Sequence, residues 1–232
     1  MILRVRGVSA VYPGGIRAFD GVSFEVGPGE NVALVGANGA GKTSLLLALV
    51  GILPLRSGSV SVDGVELDPE NPGELRRKVG LVFQNPEDQL FMPSIYEDLV
   101  FGPRNLGLSE EHAARRAAGA LEILGVSYLR DRSPLRLSGG EKRLAAIATV
   151  LTMRPELMLF DEPTAFLDPR SRRSLAAALK SLPHAKIVAT HDLSFASELC
   201  GRAIILKDGA VYAQGRPGDL FPDSALMEAC GL

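Results

Sequence analysis

The 232-residue chain is 46% hydrophobic and 22% charged, the balance of a globular protein rather than a disordered one. A net charge of −2 and a pI near 6.0 leave no global basic field for nucleic acid. Two cysteines, Cys200 and Cys230, show no metal-like spacing, are too few for a disulfide framework, and fit a reducing compartment. Arg4 and Arg6 stand where a signal peptide would need an apolar core. The longest apolar runs, Leu45–Leu53 and Leu144–Leu151, fall well short of the ~18 residues of a spanning helix. The chain is expected to be soluble and to meet a membrane only through a partner.

In chain order, Leu3–Val8 and Val22–Val26 alternate apolar and polar residues across a turn at Pro13-Gly14-Gly15. With Val60–Val62 and its Asp63-Gly64 turn they predict an antiparallel edge layer. Val32–Val35 and Leu157–Phe160 lack alternation, as strands buried on both faces of a parallel sheet do. Val79–Phe83, Ile187–Ala189 and Ala203–Leu206 are further short apolar runs. A helix is predicted after Ser109 as N-cap, with Ala114, Ala117, Ala118, Leu121 and Leu124 at helical spacing and Gly125 at its end. A second helix pattern runs from about Glu141 to Met153 and stops before Pro155. The segment ILKDGAVYAQG predicts a hairpin turning at Asp208-Gly209. Together these predict one domain over 1–232: an α/β core, 1–85 and 154–232, with a helical block at about 86–153.

GANGAGKTS, Gly36 to Ser44, matches G-x-x-x-x-G-K-[ST] between a strand, Asn31–Val35, and an apolar helix, Ser44–Val50. Gly36, Gly39 and Gly41 let the chain wrap a phosphate, with main-chain N–H groups, those of Asn38 and Ala40 included, as donors. Lys42 supplies a charge for the β- and γ-phosphates, Thr43 a hydroxyl for Mg²⁺, and Ser44 a donor to a phosphate oxygen. LMLFDEP ends an apolar strand in two carboxylates. Asp161 fits a residue holding Mg²⁺ through water, and Glu162 one that polarises an attacking water. LSGGEKR, Leu137 to Arg143, is a second glycine turn opening a helix, again a place for phosphate. One nucleotide cannot easily use both turns of one chain, but a two-fold dimer supplies the second in trans. Ser138 and the N–H groups of Gly139 and Gly140 would then be the partner's donors.

With LSGG ahead of the Asp-Glu strand, the sequence resembles an ATP-binding-cassette (ABC) ATPase over nearly its whole length. The resemblance implies a P-loop, RecA-like α/β core with an antiparallel β-layer and an inserted α-helical subdomain. It implies that Tyr12 stacks on adenine and that Gln84 reaches Mg²⁺ and reports to a transmembrane partner. His191 would contact the γ-phosphate and position the Glu162 water, while His112 and His184 are expected to be solvated. AFLD, with Phe166 and Asp168, corresponds to a loop crossing the dimer interface; Phe166 departs from the small residue usual there. Glu141 stands where Gln is commonest in the signature.

The stretch FQNPEDQLFMPSIYEDLVFGPRNLGL, Phe83 to Leu108, resembles the ATPases of energy-coupling-factor importers and their cobalt and nickel relatives. It is read as a groove beside Gln84, lined by Leu90, Phe91, Met92, Ile95 and Tyr96, for an amphipathic helix of a permease subunit. The resemblance implies Mg²⁺-dependent ATP hydrolysis by a homo- or heterodimer of ABC ATPase subunits, peripheral on the cytoplasmic face of the cell membrane. The importer would carry a transition-metal ion or vitamin, with no nucleic acid partner. The alternative, a soluble cassette uncoupled from transport, finds no coiled-coil insertion, basic stripe or tandem cassette to support it.

Overall fold

The computed structural model describes residues 1–232. In chain order the elements are β1 (Leu3–Val11), β2 (Arg17–Val26), β3 (Asn31–Val35), α1 (Lys42–Leu49), β4 (Ser57–Val62), β5 (Val65–Glu66), α2 (Gly73–Arg76) and β6 (Val79–Val82). The helices α3 (Ile95–Asn105), α4 (Glu110–Ile123) and α5 (Gly139–Leu151) follow, then β7 (Leu157–Asp161), α6 (Pro169–Ser181), β8 (Ala185–Thr190) and α7 (Leu193–Leu199). β9 (Arg202–Lys207), β10 (Ala210–Gly215), α8 (Pro217–Leu220) and α9 (Ser224–Ala229) close the chain.

The chain divides into two compact units, the first formed by Met1–Leu81, Glu156–Glu162 and Pro183–Leu232. This unit carries a four-stranded antiparallel sheet in the order β2-β1-β4-β5. A six-stranded sheet has the order β10-β9-β3-β8-β7-β6, and in it β3 runs parallel to β8 and β9, and β7 parallel to β8. The non-alternating runs are buried along their whole length, β7 and β8 at every residue, because both faces of a parallel sheet are covered. Helix α1 buries Leu45, Leu46, Ala48 and Leu49, apolar on several sides as an internal helix must be. Asp208 at φ 51° and Gly209 at φ 77° make the expected hairpin turn between β9 and β10, where two left-handed residues match the twist of the strands.

The second unit is Val82–Pro155 with Pro163–Leu182. It therefore takes in α6, which lies outside the contiguous 86–153 block, since the start of α5 touches α6 where a Cβ on Gly140 would stand 2.6 Å from Ser171 Oγ. Ser109 caps α4 by accepting from the His112 N–H, and Gly125 ends the helix at φ 67°. The buried stripe of α4 is Ala113, Ala117, Ala120 and Leu121, so the expected face is rotated. Ala118 is exposed and Ala114 only half-buried, because alanine is too small to mark by itself which side of a helix meets the core.

Candidate active site

In the first unit, β3, β7 and β8 end on one edge, with Val35 opposite Thr190 and Asp161 opposite Ala189. Functional groups gather at such carboxyl edges of parallel sheets because the loops there are free to turn toward a ligand. Out of β3 the chain loops through Gly36–Gly41 and enters α1. Gly41 is the N-cap at φ 98°, with no side-chain cap and no acidic residue in the first turn. A Cβ at Gly41 would stand 2.6 Å from the Ala18 carbonyl oxygen, so only glycine fits both the dihedral and the space. The α1 N–H groups are thus left for an outside anion, with the helix dipole behind them.

Lys42 is buried and its Nζ donates to the Gly36 carbonyl at 2.7 Å and the Ala37 carbonyl at 3.1 Å. Glu162 Oε1 lies 3.9 Å from the same Nζ. Burial pushes the Lys42 pKa down, against the opposing pull of Glu162 and Asp161. Glu162 itself sits just past β7 in the left-handed region, φ 41°, anchored by its N–H on the Ala189 carbonyl at 2.8 Å. Its Oε2 accepts from Thr190 Oγ1 at 3.1 Å and the His191 N–H at 3.4 Å, and His191 Nδ1 is 3.0 Å from Oε1. The Glu162 side chain is 9% exposed, whereas 64% of the His191 side chain is open to solvent. A buried carboxylate that accepts from two donors, touches a ring nitrogen of His191 and borders a cation is equipped to hold and orient a water. The strained φ at this one residue costs about 1–2 kcal/mol and aims the side chain off the strand.

A cavity of about 300 Å³ is lined by Tyr12, Asn38, Gly39, Gly41, Lys42, Thr43, Ser44 and Glu162, together with Ile16, Arg17 and Ala18. The phenol of Tyr12 is within hydrogen-bond distance of Ser44 Oγ, 2.9 Å, so the ring is tethered to the phosphate loop. Gly36 and Ala40 are buried supports of that loop. Ile16, in the β1–β2 turn, and Arg17, the first residue of β2, join this lining, and their closeness to Tyr12 in the chain is the sequence signal for it. Thr43 is exposed, Asp161 is buried, and both offer hard oxygen donors. No group of three or more His, Cys, Asp or Glu side chains forms a metal cage. That donor set suits Mg²⁺, which keeps its waters and borrows phosphate oxygens rather than occupying an all-protein site.

In the second unit, Ser138, Gly140 and Asp168 line a cavity of about 440 Å³ with Tyr128, Glu141, Leu144, Arg170, Ser171 and Ser174. Ser138 is the N-cap of α5 in a reciprocal capping box with Glu141. The spacing S-x-x-E carries this signal, but the glycines drew the sequence reading to phosphate instead. Asp168 caps α6, accepting from the Arg170 N–H at 2.8 Å, the Ser171 N–H at 3.1 Å and Ser171 Oγ at 2.6 Å. The Ser171 hydroxyl first, then these amides, hold its carboxyl below the usual range. Phe166 is 98% exposed and left-handed, φ 61°.

Gln84 is exposed. Its carbonyl, and that of Phe83, accept from the Arg143 guanidinium at 2.7 and 2.8 Å. Arg143 is 2% exposed, a positioning role no sequence pattern announced. Gln89 adds a second strap, donating to the Ala146 carbonyl at 2.7 Å and Thr149 Oγ1 at 2.8 Å. The expected groove is corrected in part. Leu90 and Ile95 are buried in the core, and only Phe91, Met92 and Tyr96 retain access to solvent. Phe91 meets Phe101 edge-on at 5.2 Å, and Arg130 covers the Tyr96 ring at 4.5 Å. His184, expected to be solvated, is half-buried with Nδ1 unpartnered, and burial pushes its pKa down. His112 is exposed and bonds Ser109 Oγ at 2.8 Å.

No helix is long and apolar enough to cross a membrane. The family model described as ABC transporter matches residues 19–165. A putative ABC transporter ATP-binding protein of Geobacter sulfurreducens is 47% identical over 231 residues, which take in 100% of this chain and 93% of that protein. The energy-coupling factor transporter ATP-binding protein EcfA of Methanothermobacter thermautotrophicus is 42% identical, with 100% of this chain and 76% of EcfA covered. The solved structure of CbiO1 from Clostridium perfringens, described as part of the ABC transporter complex CbiONQ, superposes with a TM-score of 0.87 at 35% identity, covering 98% of this chain and 93% of that one. That fold, the phosphate loop and these identities together place the chain in the ABC transporter family, among its ATP-binding subunits.

Proposed function

We propose that the chain hydrolyses Mg²⁺-bound ATP as one of two cassettes that drive an energy-coupling-factor importer for a transition-metal ion or vitamin. The observation that supports hydrolysis most directly is the cluster of Lys42, Glu162 and His191, within 3.9 Å of one another through Glu162, beside an uncapped α1. Lys42 exchanges its two carbonyl contacts for the β- and γ-phosphate oxygens, Ser44 and the N–H groups of the loop donate to the phosphates, and Tyr12 stacks on adenine for about 1 kcal/mol. Glu162 orients the attacking water, and His191 keeps both carboxylate and γ-phosphate in register. Thr43, Gln84 and, through water, Asp161 would hold Mg²⁺, which when bound neutralises charge developing on the phosphates.

Ser138, Gly139 and Gly140 act on the nucleotide of a second cassette, and Phe166 and Asp168 face that partner. Loss of the bridging phosphate opens the pair, and the motion is the work delivered to the permease. The importer assignment is supported by the likeness to EcfA and CbiO1 and by the exposed, edge-on pair Phe91 and Phe101. This placement puts the subunit on the cytoplasmic face of the membrane, with Gln84 as its link to the permease. The test is Glu162→Gln, expected to bind ATP, to dimerise on sizing columns only with nucleotide, and to turn over at least ~100-fold more slowly. Wild-type turnover in this variant, or a strictly monomeric loaded form with its proper partner present, refutes the reading.

A further inference from the structure

The signature turn holds its serine in a bonded state that a phosphate cannot use. Ser138 Oγ accepts from the Glu141 N–H at 3.4 Å and donates its single proton to Glu141 Oε2 at 2.8 Å. The Ser138 N–H donates to the same oxygen at 2.9 Å. Both donors that Ser138 could offer an incoming phosphate are therefore already spent on a carboxylate. A phosphate approaching the turn competes for those donors and meets a like charge as well. The surroundings show where the carboxylate can go. Arg132 Nη1 lies 3.8 Å from Oε1, Tyr128 already hydrogen-bonds the same carboxylate, and the 440 Å³ cavity beside it gives the side chain room to turn.

The geometry points to Glu141 as a positioning residue that occupies the Ser138 donors until a γ-phosphate displaces it toward Arg132. This rests on the trans-acting signature proposed above. Displacement needs no bond-making beyond an exchange of hydrogen bonds: Ser138 turns its N–H and O–H donors to phosphate, and Glu141 keeps Tyr128 and closes its 3.8 Å gap to Arg132 in return. In this position a carboxylate makes nucleotide-driven closure harder than an amide would, so Glu141 sets the ATP concentration at which the cassettes pair. Glutamine keeps the capping box while removing the charge, which separates positioning from structural support.

The experiment measures KM and kcat for ATP in the wild type, Glu141→Gln, Arg132→Ala and the double variant, each with its melting temperature. Glu141→Gln should melt within a degree or two of the wild type, lower KM about fivefold, the upper end of what one partly exposed charge contributes, and leave kcat within twofold. Arg132→Ala should raise KM in the wild-type background and have no effect once Glu141 is Gln, because the displaced carboxylate is what Arg132 receives. An unchanged KM in Glu141→Gln overturns the inference. So does a loss of kcat in step with melting temperature, the mark of a purely structural cap, and so does an Arg132→Ala effect that survives in the double variant. If the wild type neither hydrolyses ATP nor dimerises when loaded, the proposed function itself has failed, and the wild-type arm shows that separately.

Discussion

Substituting Gly140 by alanine separates two reasons for the paired glycines of LSGG. A Cβ at Gly140 would lie 2.6 Å from Ser171 Oγ and 2.9 Å from Ser171 Cβ, whereas one at Gly139 would meet nothing within 4 Å. Overpacking of this kind costs about 1–3 kcal/mol, and the helix-propensity gain of alanine over glycine returns up to about 1 kcal/mol. Gly140→Ala should therefore lose about 1–2 kcal/mol, and for a chain of this size melt about 2–8 °C lower. Gly139→Ala should keep or slightly raise the melting temperature. Thermal melts of both variants, with Ser171→Gly alone and combined with Gly140→Ala, check this, since Ser171→Gly by itself also removes the Asp168 cap bond. A Gly140→Ala protein that melts like the wild type refutes the packing argument, as does a Gly140→Ala loss of the same size in the Ser171→Gly background. ATP turnover measured on the same samples completes the separation, since Gly139→Ala places a methyl where the nucleotide of the partner is proposed to bind. It should lower turnover without lowering stability.

Phe166→Gly should stabilise the isolated chain by about 1 kcal/mol, because φ 61° costs an L-residue and not glycine. It should also weaken nucleotide-driven dimerisation; equal dimer affinity in sedimentation would remove Phe166 from the interface. Glu30 supplies a pH-dependent term. Burial opposes its ionisation, but Arg202 Nε and the Gly27 N–H, each at 2.7 Å, outweigh it and hold its pKa below the ordinary 4.5. A depressed folded pKa contributes stability that is complete above the unfolded value and is lost as pH falls through the folded one. Glu30→Gln should thus melt lower than the wild type near neutral pH, and the gap should close in acid. A gap of the same size at both pH values would show the ion pair to be without effect.

What this chain's sequence determined by itself is whatever a few neighbouring residues can specify. The loop from Gly36 to Ser44, the carboxylates closing β7, the Asp208-Gly209 turn and the Ser109 cap are all set by local dihedrals and hydrogen bonds, and the structure bears them out as elements. The Ser138–Glu141 box belongs to the same class; its S-x-x-E spacing was legible but overshadowed by the glycines. Tertiary structure alone decided which apolar residues between Leu90 and Tyr96 turn inward, which side of the alanine-rich α4 is buried, and that Arg143 is sunk beneath the Phe83 and Gln84 carbonyls. It also supplied the packing reason for Gly140, through a serine on α6 some thirty residues along the chain. Burial and close approach depend on the element that arrives opposite. That element is brought by chain folding over tens of residues, a range at which spacing and propensity no longer carry information.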